Sequence, residues 1–321
     1  MNKLPIKLDI PESFYEEEVR WDFTVTKEHK QLWAIQLDLV AELLRVCNKL
    51  GIKIFASDGT LLGAIRHQGF IPWDDDMDFA MKRKDYDILM DNLNEFQHPY
   101  FLECCKAEKP YHLNFMHLRN SDTTGYPSND KFPIMYGNNL GVFIDIFPLD
   151  NIPDDIDDNK KPRIDWTKRS YMETVRLFSM TKATALLPHN SKIVRNKKYF
   201  MTSFCSVLMS AYSEEERIEL IQNQAFKVEA TNRETKNLNT SKVLTTGGIS
   251  YRERHTLDAK FFDSQNFVPF EMIQMPIPSG AEELLTISYG DWRTPVLFNT
   301  CHSHLVFDPY TSYKDYLNAK H

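Results

Sequence analysis

Four carboxylates, Asp74, Asp75, Asp76 and Asp78, fall within five residues, and the chain then enters the apolar run Phe79-Ala-Met81. Two unit charges ~4 Å apart repel by roughly 1 kcal/mol in water and about 4 kcal/mol at an effective dielectric near 20. Such a run is tolerable in open solvent or around a cation. For Asp74 and Asp75 a solvated loop and a cation site are both open. Asp76 and Asp78 precede an alternating segment, and on a strand residues i and i+2 share a face. Both carboxylates then point one way, while Met77 and Phe79 face the core. Asp145 is a single acid inside Val142-Phe-Ile-Asp-Ile-Phe147, where an ionised group is costly unless paired or bound to a metal. Brought together, Asp76, Asp78 and Asp145 make a hard-oxygen pocket suited to Mg²⁺ or Mn²⁺ bridging to phosphates. A calcium loop starting at Asp74 is excluded, because Phe79 and Asp85 occupy the positions that need Gly and Glu.

A second component is the turn Gly59-Thr60 ahead of a helix. Glycine lets a backbone approach a phosphate, and a helix N-terminus offers unpaired N–H groups and a positive dipole. Arg66 and His67 follow one to two turns later and complete an anion site by charge-assisted hydrogen bonds. Alone, each of these is an ordinary turn or surface residue; their spacing from the acidic strand gives them weight. Cys104, Cys105, His112 and His117 suggest zinc, but no Cys-x-x-Cys spacing supports it.

Several elements must position these groups. Glu28 to Leu50 reads as an amphipathic helix capped by Gly51, followed by a strand over Ile52–Ala56 and a helix from Leu61 to about His67. Met77–Met81 reads as a strand and Asp85–Phe96 as a helix. Further strands are expected at Tyr100–Cys104, Leu113–Arg119 and Val142–Phe147, the last ended by Pro148. Residues 166–232 read as mainly helical, interrupted near Pro188–Asn190, and Val243–Asp263 has no clear pattern. Ala281–Tyr289 reads as a closing helix that stops at Gly290. The order predicts an α/β fold, a mixed sheet flanked by helices with carboxylates meeting at one edge. The expected organisation is a catalytic core over 1–150, a mainly helical insertion or second lobe over 151–260, and a C-terminal element over 261–321 returning to the core.

With 321 residues and 42% hydrophobic content the chain can bury a large core, and a net charge of −7 argues against a nucleic-acid coat. The five cysteines, odd in number and without paired spacing, point to a reducing cytoplasm. No signal peptide and no membrane span are expected. Charge is uneven: eleven Lys/Arg face two acids between Lys160 and Phe200. That run is a solvated helical face, or it docks on an anionic membrane leaflet with Trp166, Tyr171 and Phe178 as anchors.

The segments DGTLLGAIRHQGFIPWDDDMDFAM (58–81) and VFIDIFPLD (142–150) resemble the LicD family of phosphotransferases, related to fukutin and to the nucleotidyltransferase superfamily. A third segment, FVPFEMIQMPIPSGAEELLTISYGDWRTP (267–295), is similar to that family's closing element, with Tyr289-Gly290-Asp291 and a downstream His302. The resemblance implies a nucleotidyltransferase-like core. It also implies transfer of a phospho-alcohol, phosphocholine first among them, from a CDP-linked donor to a glycan or lipid-linked glycan hydroxyl, with release of CMP. Asp76, Asp78 and Asp145 then hold two Mg²⁺ or Mn²⁺ ions, and Asp145 accepts the hydroxyl proton. Arg66, His67 and Arg119 are the candidates for phosphate charge, with Asp291 and His302 as further substrate contacts. Trp73, Tyr136 and Trp292 are candidates for an aromatic cage around choline. The implied location is the cytoplasm, peripheral on the inner face of the membrane.

Three other activities use similar residues. A nucleotidyltransferase acting on a small molecule would release pyrophosphate. A glycosyltransferase with an Asp-x-Asp motif usually builds a nucleotide-binding half first, and one long helix fills much of that space here. A non-catalytic saccharide- or phosphate-binding protein would bind donor without turning it over.

Overall fold

The computed structural model describes residues 3–107, 109, 111–128, 137–153, 161–186, 208–245, 256–296 and 305–319. Its first long helix, α1 (Lys27–Leu50), is bounded by its own sequence. Thr26 Oγ1 accepts the His29 amide at 3.2 Å, and Gly51 closes the helix at φ 65°, a left-handed position that glycine takes without a Cβ clash. A hairpin of β1 (Glu18–Arg20) and β2 (Phe23–Val25) precedes it.

After α1 the chain runs through β3 (Phe55–Ala56), α2 (Asp58–Arg66), β4 (Asp78–Lys82), α3 (Arg83–Asp91), β5 (Tyr100–Glu103), β6 (Met116–Asn120), β7 (Thr124–Pro127) and β8 (Val142–Ile152). There follow α4 (Lys161–Leu186), α5 (Glu214–Arg233), β9 (Lys242–Thr245), β10 (Thr256–Asp258), the hairpin β11 (Gln265–Phe270) and β12 (Ile273–Pro278), α6 (Ala281–Tyr289), β13 (Leu305–Asp308) and α7 (Tyr313–Asn318). The fold is the expected mixed α/β sheet flanked by helices. Its centre is β8. One edge of β8 pairs in parallel with β4, and β4 pairs with β3. The other edge is shared: the first half takes β6 and then β5, the second half takes β9 and then β10. Helices α1 and α3 pack on β8, over the buried Phe79, Met81, Ile144 and Ile146.

Pro148 was expected to end this strand, and it does not. The Asp145 amide donates to Met77 O on the β4 side, so odd-numbered amides of β8 face β4 and even-numbered ones face the opposite edge. On that edge β6 pairs only as far as Ile146, and β9 begins at Leu149. The missing N–H of Pro148 falls in the gap between two partners, where a proline costs no ladder bond. Smaller differences concern lengths. The strand expected over Ile52–Ala56 shrinks to β3, and the helix expected to reach Phe96 stops at Asp91, followed by a short 3-10 turn over Leu93–Glu95.

The 151–260 segment is more closely joined to the sheet than a separate helical lobe. It supplies β9 and β10, placed where the sequence showed no clear pattern. Its helices α4 and α5 pack together, and α5 starts with a capping box in which Ser213 and Glu216 exchange hydrogen bonds. Fully buried Arg83 ties α5 to the core, reaching Asp150 of β8 at 2.5 and 3.0 Å and Glu229 at 2.7 Å. Trp166, a membrane anchor in the docking alternative, is buried instead and donates its indole N–H to Thr231 O at 3.0 Å. In the basic stretch, Arg169 pairs with Glu234 and Arg176 with Glu173. Its part beyond residue 186, with the Pro188–Asn190 interruption, lies outside the described residues, as do Cys205 and Cys301. Among the described residues no helix is long and apolar enough to cross a membrane.

Candidate active site

Register across four strands sets the site. Asp78 on β4 is opposite Asp145 on β8, Asp145 is opposite His117 on β6, and His117 is opposite Glu103 on β5. Neighbours in register lie on one face of a sheet, so the four side chains form a row of carboxylate, carboxylate, imidazole, carboxylate. His117 Nε2 is 3.0 Å from Asp145 Oδ1, close enough for an ion pair but not aligned for a straight hydrogen bond. Burial and the Arg119 guanidinium oppose a charged His117 ring, while Asp145 and Glu103 favour it and raise its pKa. Burial likewise opposes charge on Glu103. Arg119 and His117 outweigh that and hold its carboxyl down at about 2.

Beside this row lies the acidic loop, which ends where β4 begins at Asp78. Asp76 therefore sits in the loop and not on the strand, which corrects the expected i, i+2 pair on one strand face. Helix α1 fixes the loop backbone. His29 Nε2 meets Asp74 O at 2.8 Å, Trp33 Nε1 donates to the same carbonyl at 3.0 Å, and Gln36 Nε2 donates to Asp75 O at 2.9 Å. Steps of four and three residues put these three side chains on one helical face. Burial lowers the pKa of His29. Asp74 and Asp75 are half-buried, and Asp74, Asp75 and Asp76 each bring a carboxylate oxygen within 4.8 Å of the others. The solvated-loop reading thus gives way to a held cluster.

The start of α2 closes the site from another side. Thr60 Oγ1 accepts the Asp78 amide at 2.8 Å, and Asp78 O accepts the Ser57 amide at 3.0 Å, so Gly59-Thr60 is clamped to the first residue of β4. A Cβ on Gly59 would stand 2.6 Å from Asp74 Oδ2, which explains the glycine by space. Asp58 precedes it at φ 44°, an uncommon backbone for a residue with a side chain.

The electrostatics converge on Asp78. It is half-buried, and burial first, then Asp76, Asp58, Asp145 and Asp74, raise its pKa well above the ordinary carboxylate value. Tyr289, at the end of α6, lies in the same field: burial and then Asp58, Asp78, Asp74 and Asp76 raise its phenol pKa. The site therefore draws in Asp58, His117 and Tyr289, which sequence reasoning had not placed there. Polar residues alternating over Met116-His-Leu-Arg-Asn120 were the available signal for His117. These groups suit a divalent cation. The donors are all hard oxygens and their like charges oppose one another.

The remaining expected residues have different surroundings. Arg66 donates through Nε to His67 Nε2 at 2.9 Å and through Nη1 to Trp292 O at 2.9 Å. Burial, then Arg66 and Arg20, push the His67 pKa down to about 4, so at neutral pH it is an uncharged acceptor that orients Arg66. Arg119 is buried and committed to Glu103 at 2.7 Å and Gly141 O at 2.9 Å, behind the row. Trp73 is buried with its ring edge-on to Phe23, and Trp292 is buried under the Arg293 guanidinium; neither presents an open cage wall. Asp291 is exposed and accepts from Thr294 at 2.9 Å. His302 and Tyr136 lie outside the described residues. Cys104 and Cys105 are buried thiols, Cys104 pushed up to about 11 by burial, and His117 is taken up by Asp145.

Comparison with known proteins gives this geometry a family. Residues 51–178 match the model for the LicD/FKTN/FKRP nucleotidyltransferase domain, a span that contains Gly59, the acidic loop and all four members of the row. The chain carries a LicD-family domain. It is 30% identical over 132 residues to the lipopolysaccharide cholinephosphotransferase LicD of Haemophilus influenzae, 41% of this chain and 47% of that protein. It is also 41% identical over 59 residues to the uncharacterized protein RP689 of Rickettsia prowazekii, 18% of this chain and 22% of that protein. It is 45% identical over 47 residues to RT0683 of Rickettsia typhi, 15% of each. The chain thus spans less than half the length of these curated relatives.

Proposed function

We propose that this LicD-family chain is a metal-dependent phosphotransferase. It moves a phospho-alcohol, phosphocholine in the first instance, from a CDP-linked donor to a hydroxyl of a cell-surface glycan or its lipid-linked precursor. The observation that carries this is the register pairing of Asp78 with Asp145 beside the held loop of Asp74, Asp75 and Asp76. Support for choline comes from the Haemophilus influenzae relative, named for cholinephosphate transfer to lipopolysaccharide.

Asp76, Asp78 and Asp145 are the residues that would hold Mg²⁺ or Mn²⁺, two ions in this reading, with Asp74 and Asp58 close by. A cation bound there would supply neutralisation of diphosphate charge and a lowered hydroxyl pKa. Asp145 takes the proton of the acceptor hydroxyl. The acceptor oxygen bonds to the phosphorus that carries the alcohol, and the bond from that phosphorus to the bridging oxygen breaks, so CMP leaves with the electron pair. Arg66, fixed by His67 and Trp292 O, faces phosphate charge from the far end of α2. Asp75 and Asp76 also line a narrow groove with Gly125, Phe143 and Leu305. The reading places the protein in the cytoplasm, at the inner face of the membrane where a lipid-linked acceptor is presented.

The test is incubation with CDP-choline, Mg²⁺ and a glycan acceptor, with nucleotide products resolved by chromatography. CMP release, lost in Asp145→Asn while the fold is kept, is the expected result. Full activity in Asp145→Asn refutes the assigned site. Pyrophosphate from a nucleoside triphosphate would instead show nucleotidyl transfer, the reading favoured if the domain's description applies literally.

A further inference from the structure

We infer that His117 is a positioning residue, which presents an N–H to Asp145 Oδ1 and thereby leaves the other oxygen of Asp145 to take a cation. The inference rests on the reading of Asp145 as a metal ligand and proton acceptor. It is carried by five contacts behind the carboxylate. Asn138 donates to Glu103 Oε1 at 3.1 Å, and Arg119 Nε donates to Glu103 Oε2 at 2.7 Å. Arg119 Nη1 donates to Gly141 O, and Nη2 lies 2.9 Å from His117 Nδ1. His117 Nε2 then stands 3.0 Å from Asp145 Oδ1.

A guanidinium has donors and no acceptor. At Nδ1 the Arg119 donor at 2.9 Å is nearer than the Glu103 Oε2 acceptor at 3.4 Å, so that nitrogen accepts in the neutral ring and the single ring proton sits on Nε2. When the ring is charged, both nitrogens carry protons. In either state Nε2 presents an N–H to Asp145, and the contact between Nδ1 and Arg119 belongs to the neutral ring. The ring is also held in place. Phe143 and Phe115 stand 4.7 and 5.3 Å from it between centroids, Tyr111 stands 6.2 Å away, and Arg119 lies over the Phe143 ring. Asp145 Oδ1 is buried, whereas the side chain as a whole is 15% exposed, so its open part lies on the side away from His117. A ligand carboxylate gripped on one oxygen has one oxygen and one direction left to offer, which is how outer-shell partners orient metal ligands.

Two variants of the full chain test this. His117→Phe keeps an aromatic ring among Phe143 and Phe115 but removes the donor. His117→Gln puts an amide N–H near the Nε2 position. Mn²⁺ binding is followed by electron paramagnetic resonance without nucleotide, and kcat and the donor KM are measured with CDP-choline. The expected result for His117→Phe is Mn²⁺ affinity weakened about tenfold or more, kcat lowered by a similar factor and donor KM within about twofold, with most of the loss recovered in His117→Gln. Unchanged Mn²⁺ affinity and kcat in His117→Phe, or a His117→Gln protein as impaired as His117→Phe, overturns the inference. The wild-type protein supplies a further readout: ¹⁵N spectra of the neutral ring should show the proton on Nε2, and a proton on Nδ1 overturns it without any variant. Wild-type protein that binds no Mn²⁺ sinks the metal reading of the site itself, while the ring spectrum still decides the tautomer.

Discussion

Asp78→Asn separates the charge of the site from its shape. In the metal-free protein the charge of Asp78 is opposed first by burial and then by Asp76, Asp58, Asp145 and Asp74. Asp145 is its register partner on the adjacent strand. At the ~5 Å of neighbouring strands and an effective dielectric near 20, two carboxylates repel by about 3 kcal/mol. The amide has nearly the same shape and no charge, and the Asp78 amide bond to Thr60 Oγ1 is a backbone contact that survives. Wild-type protein relieves part of the strain by protonating Asp78, so the expected gain is about 1–2 kcal/mol at alkaline pH, about 2–4 °C in melting midpoint. The sign follows from linkage. Folded Asp78 holds its proton more tightly than the unfolded chain, so its contribution to stability is fully present below the ordinary carboxylate pKa. That contribution is lost as pH rises through the raised folded value. The advantage of the variant is therefore near zero at about pH 4 and grows as pH rises through the raised folded value. Excess Mg²⁺ should reverse the order, stabilising wild type and not the variant. Scanning calorimetry in EDTA across this pH range, repeated with Mg²⁺, reads all three effects. A variant less stable than wild type in EDTA at about pH 8, or an offset that ignores pH, refutes the convergence of these charges.

Two further outcomes follow from single contacts. Gly59→Ala should keep the fold, since its backbone is not left-handed, but drive Asp74 from its place because the new Cβ meets Asp74 Oδ2 at 2.6 Å. A loss of about tenfold or more in kcat/KM with an unchanged circular-dichroism spectrum is expected, and unaltered kinetics would count against a role for Asp74. Arg83→Met leaves buried Asp150 and Glu229 without their shared cation. It should cost about 3–5 kcal/mol in urea unfolding, and a cost under about 1 kcal/mol would show that the pair carries little of the join between α5 and the sheet.

Much of the local structure was legible in the chain itself. Gly51 and Gly290 mark the ends of α1 and α6 where the sequence put them, and apolar alternation located β4, β5, β6 and the first half of β8. These are short-range effects of capping, glycine conformation and strand period, so neighbours in sequence suffice to reveal them. Pro148 misled for the same reason. Its local meaning is a stop, and only the gap between β6 and β9 makes it harmless.

The motif around Asp76, Asp78 and Asp145 likewise announced an acidic cluster before any fold was known, because dense like charge beside an apolar strand demands a cation or solvent. Which groups share that site was a matter for the tertiary structure. Asp78, Asp145, His117 and Glu103 are aligned by sheet register, and His29, Trp33 and Gln36 reach the acidic loop from a helix far back in the chain. Register and helix packing are set by how whole elements bury their apolar faces, a property of pairs of segments that no single segment records. Arg119 shows the same limit from the other side: its type suggests a phosphate contact, and its burial beside Glu103 makes it part of the support behind Asp145.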